Sequence, residues 1–257
     1  MMALHYLLGN SINRLINSLP MELKYKVKLH FVHQDMEWCM YRLRLNGFMP
    51  QAVIDVGAYR GEWASVCKRI FPESAILMIE PQGSENSFLK YFCKRYPECQ
   101  YRNALVGAEE KEIAFSIEPS KVRSRVSQAE TEESIHRLEK TAVKSVVTLD
   151  SLIKETPFER AQLLKLDVQG YELEVLKGAK SLLNSTEVIL MEITVAPEFI
   201  PGGPLIYEVF EFMRSLHYRL LDFYPLLRQP EDGALCQIDA FFAKESSQLG
   251  RLRAVWD

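Results

Sequence analysis

Residues Val53–Gln82 read VIDVGAYRGEWASVCKRIFPESAILMIEPQ, and this stretch decides the fold. Ala52 to Val56 is a short run, largely apolar and rich in β-branched residues, with Asp55 as its one charged member. Such a run suits a strand covered on both faces of a parallel sheet. Gly57 and Gly61 bracket Ala58, Tyr59 and Arg60, where a tight turn needs backbone freedom and a missing Cβ lets the main chain approach a ligand. A helix follows from about Glu62 to Ile70, with an acid in its first turn and Pro72 just past its end. Ala75 to Ile79 forms the next apolar strand, and Glu80 closes it before Pro81. A buried strand, a glycine turn, a helix and a strand ending in an acid make half of a nucleotide-type site in an α/β protein.

The acid lies about 25 residues past the first turn, close to where dinucleotide folds place the carboxylate that accepts both ribose hydroxyls. The glycine spacing narrows the ligand. A pyrophosphate cradle needs GxGxxG at a helix start, whereas this turn reads GAYRG, without a second glycine two places on. A ligand with a ribose and no phosphate fits better, and S-adenosylmethionine is the common one. The plain alternative is an ordinary strand-turn-helix, since a lone glycine turn is weakly specific.

With 257 residues, 47% of them hydrophobic, the chain can bury a substantial core. Its 31 basic and 34 acidic residues give a net charge of −3, which offers no overall attraction to nucleic acid. Cys39, Cys67, Cys93, Cys99 and Cys236 form no CxxC pair, so buried thiols in a reducing compartment are expected rather than zinc or disulfides. No run approaches the ~18 consecutive apolar residues of a spanning helix. The start, MMALHYLL, is followed at once by polar residues without a cleavage pattern, and a cytoplasmic protein is expected.

Leu8, Ile12, Leu15, Ile16 and Leu19 recur at helical spacing ahead of Pro20. This stripe suits docking on the protein's own fold or on the mate of a homodimer formed through N-terminal helices. The run KYKVKLHF from Lys24 to Phe31 alternates with period two and stays unresolved between strand and helix. Asp35 to Asn46 reads as a helix with Met36, Met40 and Leu43 on one side, stopped by Gly47. Beyond Glu80, Ser84 to Tyr96 reads as a helix with Phe88, Leu89 and Phe92 inward, and Cys99 to Arg102 as a strand. Asn103 at its end either meets an adenine edge or satisfies a turn. Ile113 to Ile117 is an extra strand. The segment from Ser120 to Lys140 is polar and carries His136, which marks an inserted loop of about 119–141 that is a lid, a binding loop or disorder. Ser145 to Leu149 is a strand, with Asp150 expected to cap a short helix. LLKLDV, Leu163 to Val168, is a buried strand on which Lys165 and Asp167 share a face. Further strands are expected at Val188 to Ile193, carrying Glu192, at Arg219 to Phe223, and at Gln237 to Ala243, the last running antiparallel. Ligands of open α/β sheets bind outside the carboxyl ends of the strands, where Gly57, Glu80, Asn103 and Asp167 gather.

The segments VIDVGAYRGEW, IEP, TLDSL, LKLDVQGYELEVLKGA and ILMEI occur in this order. Together they resemble the FkbM family of S-adenosylmethionine-dependent methyltransferases, over roughly Gly47 to Lys244. The resemblance implies a class I methyltransferase fold: a Rossmann-like, mostly parallel sheet with helices on both faces and an antiparallel last strand. It divides the chain into an N-terminal helical extension (1–47) and a methyltransferase domain (48–257). It also implies O-methylation of a hydroxyl on a small-molecule acceptor, a saccharide or a natural product. Asp55, Gly57, Gly61 and Glu80 fall on the family's cofactor pattern, and Ala58, Tyr59, Pro81, Asn103 and Asp167 complete the expected cofactor contacts. Asp167, Gln169, Glu172 and Glu192 fall on its second-half motifs. VQG stands for the more usual VEG, and Tyr171 takes a position that is often alanine.

Methyl transfer to an alcohol needs alignment and a proton acceptor. Asp167 is the first candidate base, with Lys165 pairing to it and Glu192 as a second acid. Asp167 is also suited to capping the next helix or to binding the methionine amino group. Mg²⁺ held by Asp167, Glu192 and Asp239 is the alternative to a metal-free site. Two rival readings are a noncatalytic S-adenosylmethionine-binding protein and a nucleic-acid methyltransferase. The charge balance and the lack of an NPPY-like or Cys nucleophile motif count against the latter.

Overall fold

The computed structural model describes residues 18–20, 23–24, 35–117, 124–126, 141–197, 199–200 and 202–250. The expected stripe from Leu8 lies outside them except for Leu19, as do Tyr25 to Phe31 of the alternating run, His136, and most of the expected inserted loop.

Eleven strands and six α-helices are described. In chain order they are α1 (Met36–Leu45), β1 (Ala52–Val56), α2 (Glu62–Ile70), β2 (Ala75–Ile79), α3 (Asn86–Arg95), β3 (Gln100–Arg102), β4 (Leu105–Gly107), β5 (Lys111–Ile117), β6 (Ser124–Val126) and β7 (Thr141–Thr148). The second half holds α4 (Leu149–Ile153), β8 (Leu163–Leu166), α5 (Glu172–Lys177), β9 (Val188–Thr194), α6 (Ile206–Ser215), β10 (Tyr218–Arg228) and β11 (Leu235–Lys244). Seven strands form the main sheet in the order β3-β2-β1-β8-β9-β11-β10. The first five are parallel; β11 runs antiparallel to β9, and β10 antiparallel to β11. The order reverses between β1 and β8, and such switch points open a crevice at the strands' carboxyl ends. The expected fold, a mostly parallel sheet with helices and an antiparallel last strand, is therefore present.

Period-two alternation splits the core over the two faces. Ile54, Val56, Leu77, Ile79, Leu164, Leu166 and Met191 bury one face with α5 and α6. Val53, Ile76, Met78, Leu163 and Leu190 bury the other with Trp38, Met40 and Leu43 of α1 and Trp63, Ala64 and Cys67 of α2. The core thus takes in α1, which lies ahead of the boundary expected at 47. All five cysteines are free thiols. Among the described residues no helix is long and apolar enough to cross a membrane.

Three local expectations are corrected. Asp150 does not cap α4: Thr148 does, accepting from Ser151 N, and the Asp150 carboxylate accepts from Ser181 N and Leu182 N at 2.8 and 3.0 Å. Phe88 faces outward, 46% exposed, with the Arg60 guanidinium 4.6 Å from its ring centroid. The strands from β4 to β7 do not join the main sheet, although part of that stretch was expected as a loop. They form a second one, β4-β7-β5-β6, in which Ser124–Val126, inside the expected loop, pairs with β5.

Candidate active site

β1 ends in a turn that only a glycine can make. Gly57 has φ of 78°, and a Cβ there would lie 1.9 Å from the Asp167 carbonyl oxygen. This close approach locks the ends of β1 and β8 together, with Asp167 N donating to Val56 O at 3.1 Å. Gly57 N and Ala58 N both donate to Ile79 O, which ties the turn to β2. Tyr59 adopts φ of 46° and Gly61 of 77°, so the chain reverses and enters α2.

The result is a cleft of about 440 Å³ at the carboxyl ends of β1, β2, β8 and β9. Gly57, Ala58, Tyr59, Glu80 and Pro81 line one side, and Lys165, Asp167 and Glu192 the other. Glu80 is 3% exposed, and each of its oxygens is fixed by the main chain: Oε2 accepts from Tyr59 N and Oε1 from Gln82 N, both at 2.8 Å. Burial raises its carboxyl above the ordinary range, and the two backbone donors work against the rise.

On the other side the contacts run from side chain to side chain. Strand register places Asp55 beside Lys165, and the Lys165 ammonium lies 3.2 Å from Asp55 Oδ1 and 3.1 Å from Asp167 Oδ2. Burial disfavours this ammonium, but Asp167 and Asp55 outweigh it and hold it protonated. Gln169 Nε2 donates to Asp167 Oδ1 at 2.8 Å and to Glu192 Oε1 at 2.9 Å. Glu172 is buried beneath this turn, its Oε1 accepting from Val168 N and Gly170 N. Burial pushes its carboxyl up to about 7.

Three expected site residues stand elsewhere. Asp55 is fully buried behind the cleft wall, where it serves as the inner partner of Lys165 rather than as a cofactor contact. Asn103 donates from Nδ2 to Glu80 O at 2.7 Å and does not line the cleft: it satisfies the turn. Asp239 pairs in register with Glu192, but it accepts from the Tyr224 hydroxyl and is absent from the cleft wall. Burial pushes Asp239 up to about 6. Among the described residues no three His, Cys, Asp or Glu side chains form a group that could hold a metal ion, so the expected Asp167, Glu192 and Asp239 set is not assembled. Gly61 supports the turn from behind, its Cα facing Met78, Leu89 and Phe92.

Several wall residues escaped the sequence reading. Trp63 is 7% exposed, and its buried Nε1 has no hydrogen-bond partner among the described residues. Gln237 on β11 donates to Glu192 Oε1 at 2.7 Å. Leu226 and Leu227 reach the wall from β10. The one legible signal was Gln237, a polar residue inside the apolar strand LCQIDAFFA.

These features fit S-adenosylmethionine. A fixed acid stands at the end of β2, where ribose hydroxyls are read. Ala104, Leu105 and Val106 give an apolar wall for a purine, and the unpaired indole N–H offers a donor.

No curated protein matches the chain. Among solved structures, the FkbM methyltransferase of Methylobacillus flagellatus KT is similar at 14% identity and a TM-score of 0.49, over 74% of this chain and 43% of that one. The N-methyltransferase NodS of Bradyrhizobium japonicum WM9 matches at 7% identity and a TM-score of 0.47, over 81% and 93% of the two chains. The 1,6-didemethyltoxoflavin-N1-methyltransferase of Burkholderia thailandensis matches at 8% identity and a TM-score of 0.44, over 86% and 83%. This chain thus spans less than half the length of the M. flagellatus protein. The family model of the methyltransferase FkbM domain matches residues 55–220, from the buried acid of β1 into β10. That match covers well over half of the chain, and the chain belongs to the FkbM methyltransferase family.

Proposed function

We propose that the chain transfers a methyl group from S-adenosylmethionine to a hydroxyl oxygen of a small acceptor, a saccharide or another natural product. The observation that carries this reading is the convergence of the Gly57 turn, Glu80 and Asp167 on one cleft at the point where the strand order reverses.

Glu80 would hold the ribose hydroxyls, the turn from Gly57 to Tyr59 the amino-acid end, and the Ala104–Val106 wall the purine. When bound, S-adenosylmethionine supplies a methyl group on a positively charged sulfur, open to displacement by an oxygen. Asp167, its side chain 34% exposed, is the acid placed to orient the acceptor O–H and take its proton. Lys165 and Gln169 each hold one Asp167 oxygen, which fixes its direction. Glu192 faces the same side through Gln169 and is the second acid of the acceptor half.

The test is calorimetric titration with S-adenosylmethionine, followed by transfer of labelled methyl to a panel of saccharides, nucleotide-linked saccharides, polyketide-type alcohols and RNA. Binding of the cofactor with product on a saccharide or alcohol is expected. A folded protein that does not bind S-adenosylmethionine overturns the reading, and product on RNA alone replaces the acceptor class.

A further inference from the structure

The Glu192 carboxyl is held asymmetrically. Gln169 Nε2 at 2.9 Å and Gln237 Nε2 at 2.7 Å converge on the same oxygen, Oε1. The orientation of Gln169 is fixed by Asp167, whose carboxylate Oδ1 accepts from the same Nε2 at 2.8 Å and would repel an amide oxygen there. Oε2 of Glu192 takes no hydrogen bond from a described residue and stays open to the cleft.

The charges around this carboxyl are of its own sign. Asp167 stands at the end of β8, Asp239 lies beside Glu192 on β11, and Glu172 is buried on α5. Lys165, the nearby cation, is already spanned between Asp55 and Asp167. Burial first, then Asp167 and Asp239, push the Glu192 carboxyl up to about 9. With two donors already on Oε1, the proton of the neutral acid has one place left, Oε2, where it faces the ligand.

We propose that Glu192 serves the acceptor half as a neutral hydrogen-bond donor, presenting Oε2–H to an uncharged oxygen of the acceptor, such as a saccharide hydroxyl or ring oxygen. The inference rests on the methyltransferase reading of the cleft and narrows its acceptor. Among the described lining residues the acids Glu62, Glu80, Asp167 and Glu192 outnumber the single cation, Lys165, which Asp55 and Asp167 already engage. A phosphate placed here would find no unpaired cation and would lie against Asp167. A neutral oxygen needs only the donor.

The deciding experiment is a carboxyl-carbon NMR titration of the S-adenosylhomocysteine-bound protein, with Glu192→Gln to assign the resonance. Glu192 is expected to titrate at least ~3 units above the ~4.3 of a free glutamate. A midpoint within about one unit of that value overturns the proposal. A second arm measures, by ligand-observed NMR at neutral pH, binding of a panel of oligosaccharides in uncharged and phosphorylated forms. Uncharged members are expected to bind, to lose at least ~10-fold in affinity in Glu192→Ala, and to recover part of it in Glu192→Gln, whose amide N–H also donates. Preference for the phosphorylated forms, indifference to Glu192→Ala, or no binding of the panel overturns the proposal. Failure of the wild type to bind S-adenosylhomocysteine sinks the methyltransferase reading as well, and so is told apart from a failure of this inference alone.

Discussion

The two sides of the cleft are held by different kinds of bond. On the β1–β2 side, Glu80 is gripped by the backbone N–H groups of Tyr59 and Gln82, and the turn by the Ile79 carbonyl. Every group comes from one stretch of chain. On the β8–β9–β11 side the positions are set among side chains: Lys165 between Asp55 and Asp167, Gln169 between Asp167 and Glu192, and Gln237 on Glu192. These residues come from four strands and the turn after β8. Backbone donors do not change with residue type, so apart from Glu80 itself the first side is robust to side-chain substitution and vulnerable to backbone change. The second is the reverse.

The largest effect is expected where the two sides touch. Gly57→Ala places a methyl 1.9 Å from the Asp167 carbonyl oxygen at φ of 78°, and overpacking together with left-handed strain should cost more than about 3 kcal/mol. Thermal melting shows it as a large fall in Tm with loss of cofactor binding; a melt close to wild type would mean that the two sides are not locked there. Next comes Asp167→Asn, which keeps size and hydrogen bonding and removes the charge. It should lower methyl transfer at saturating S-adenosylmethionine by at least ~10²-fold while cofactor affinity is largely kept. Single-turnover rates with and without EDTA separate a base from a metal ligand, and a raised cofactor Kd with an unchanged rate would move Asp167 to the cofactor side. Glu80→Ala should weaken cofactor binding by ~1.5–3 kcal/mol, roughly 10- to 100-fold, through the lost charge-assisted hydrogen bonds. Calorimetry showing wild-type affinity in the folded variant would remove Glu80 from the site.

The smallest effect concerns pH. The folded state holds the Glu172 proton up to about 7, whereas the unfolded chain releases it near the 4.5 of an ordinary glutamate. The folded state therefore binds more protons between these values, so stability falls as pH rises through that window and levels off above it. Glu172→Gln removes this dependence and should raise stability above pH 7 by on the order of 1 kcal/mol, with little change near pH 4. Chemical denaturation at the two pH values checks it, and an equal effect at both would assign Glu172 a packing role only.

The same contrast explains what the sequence made legible. The bounds of β1, α2 and β2 could be read closely, because apolar period, glycine turn and proline stop agree over a single segment. The places of Glu80 and Asp167 at the cleft followed from their standing directly after β2 and β8. The second sheet was hidden because β4 and β6 are three residues long and show no period. Asp150 misled because Thr148, two places earlier, competes for the same cap. The buried place of Asp55 and the clasp of Gln237 on Glu192 depend on register between distant strands, which one sequence does not display.

Among the described strands, β10 forms the outer edge of the main sheet and pairs only with β11. Its register shifts at Leu220/Asp222, Pro225/Leu227 and Leu227/Arg228, and Pro225 is a residue that an edge strand tolerates. Leu226 and Leu227, next to these irregularities, supply an apolar part of the cleft wall. Insertions or deletions in this hairpin can therefore reshape the wall while β1, β2 and Glu80 keep their places.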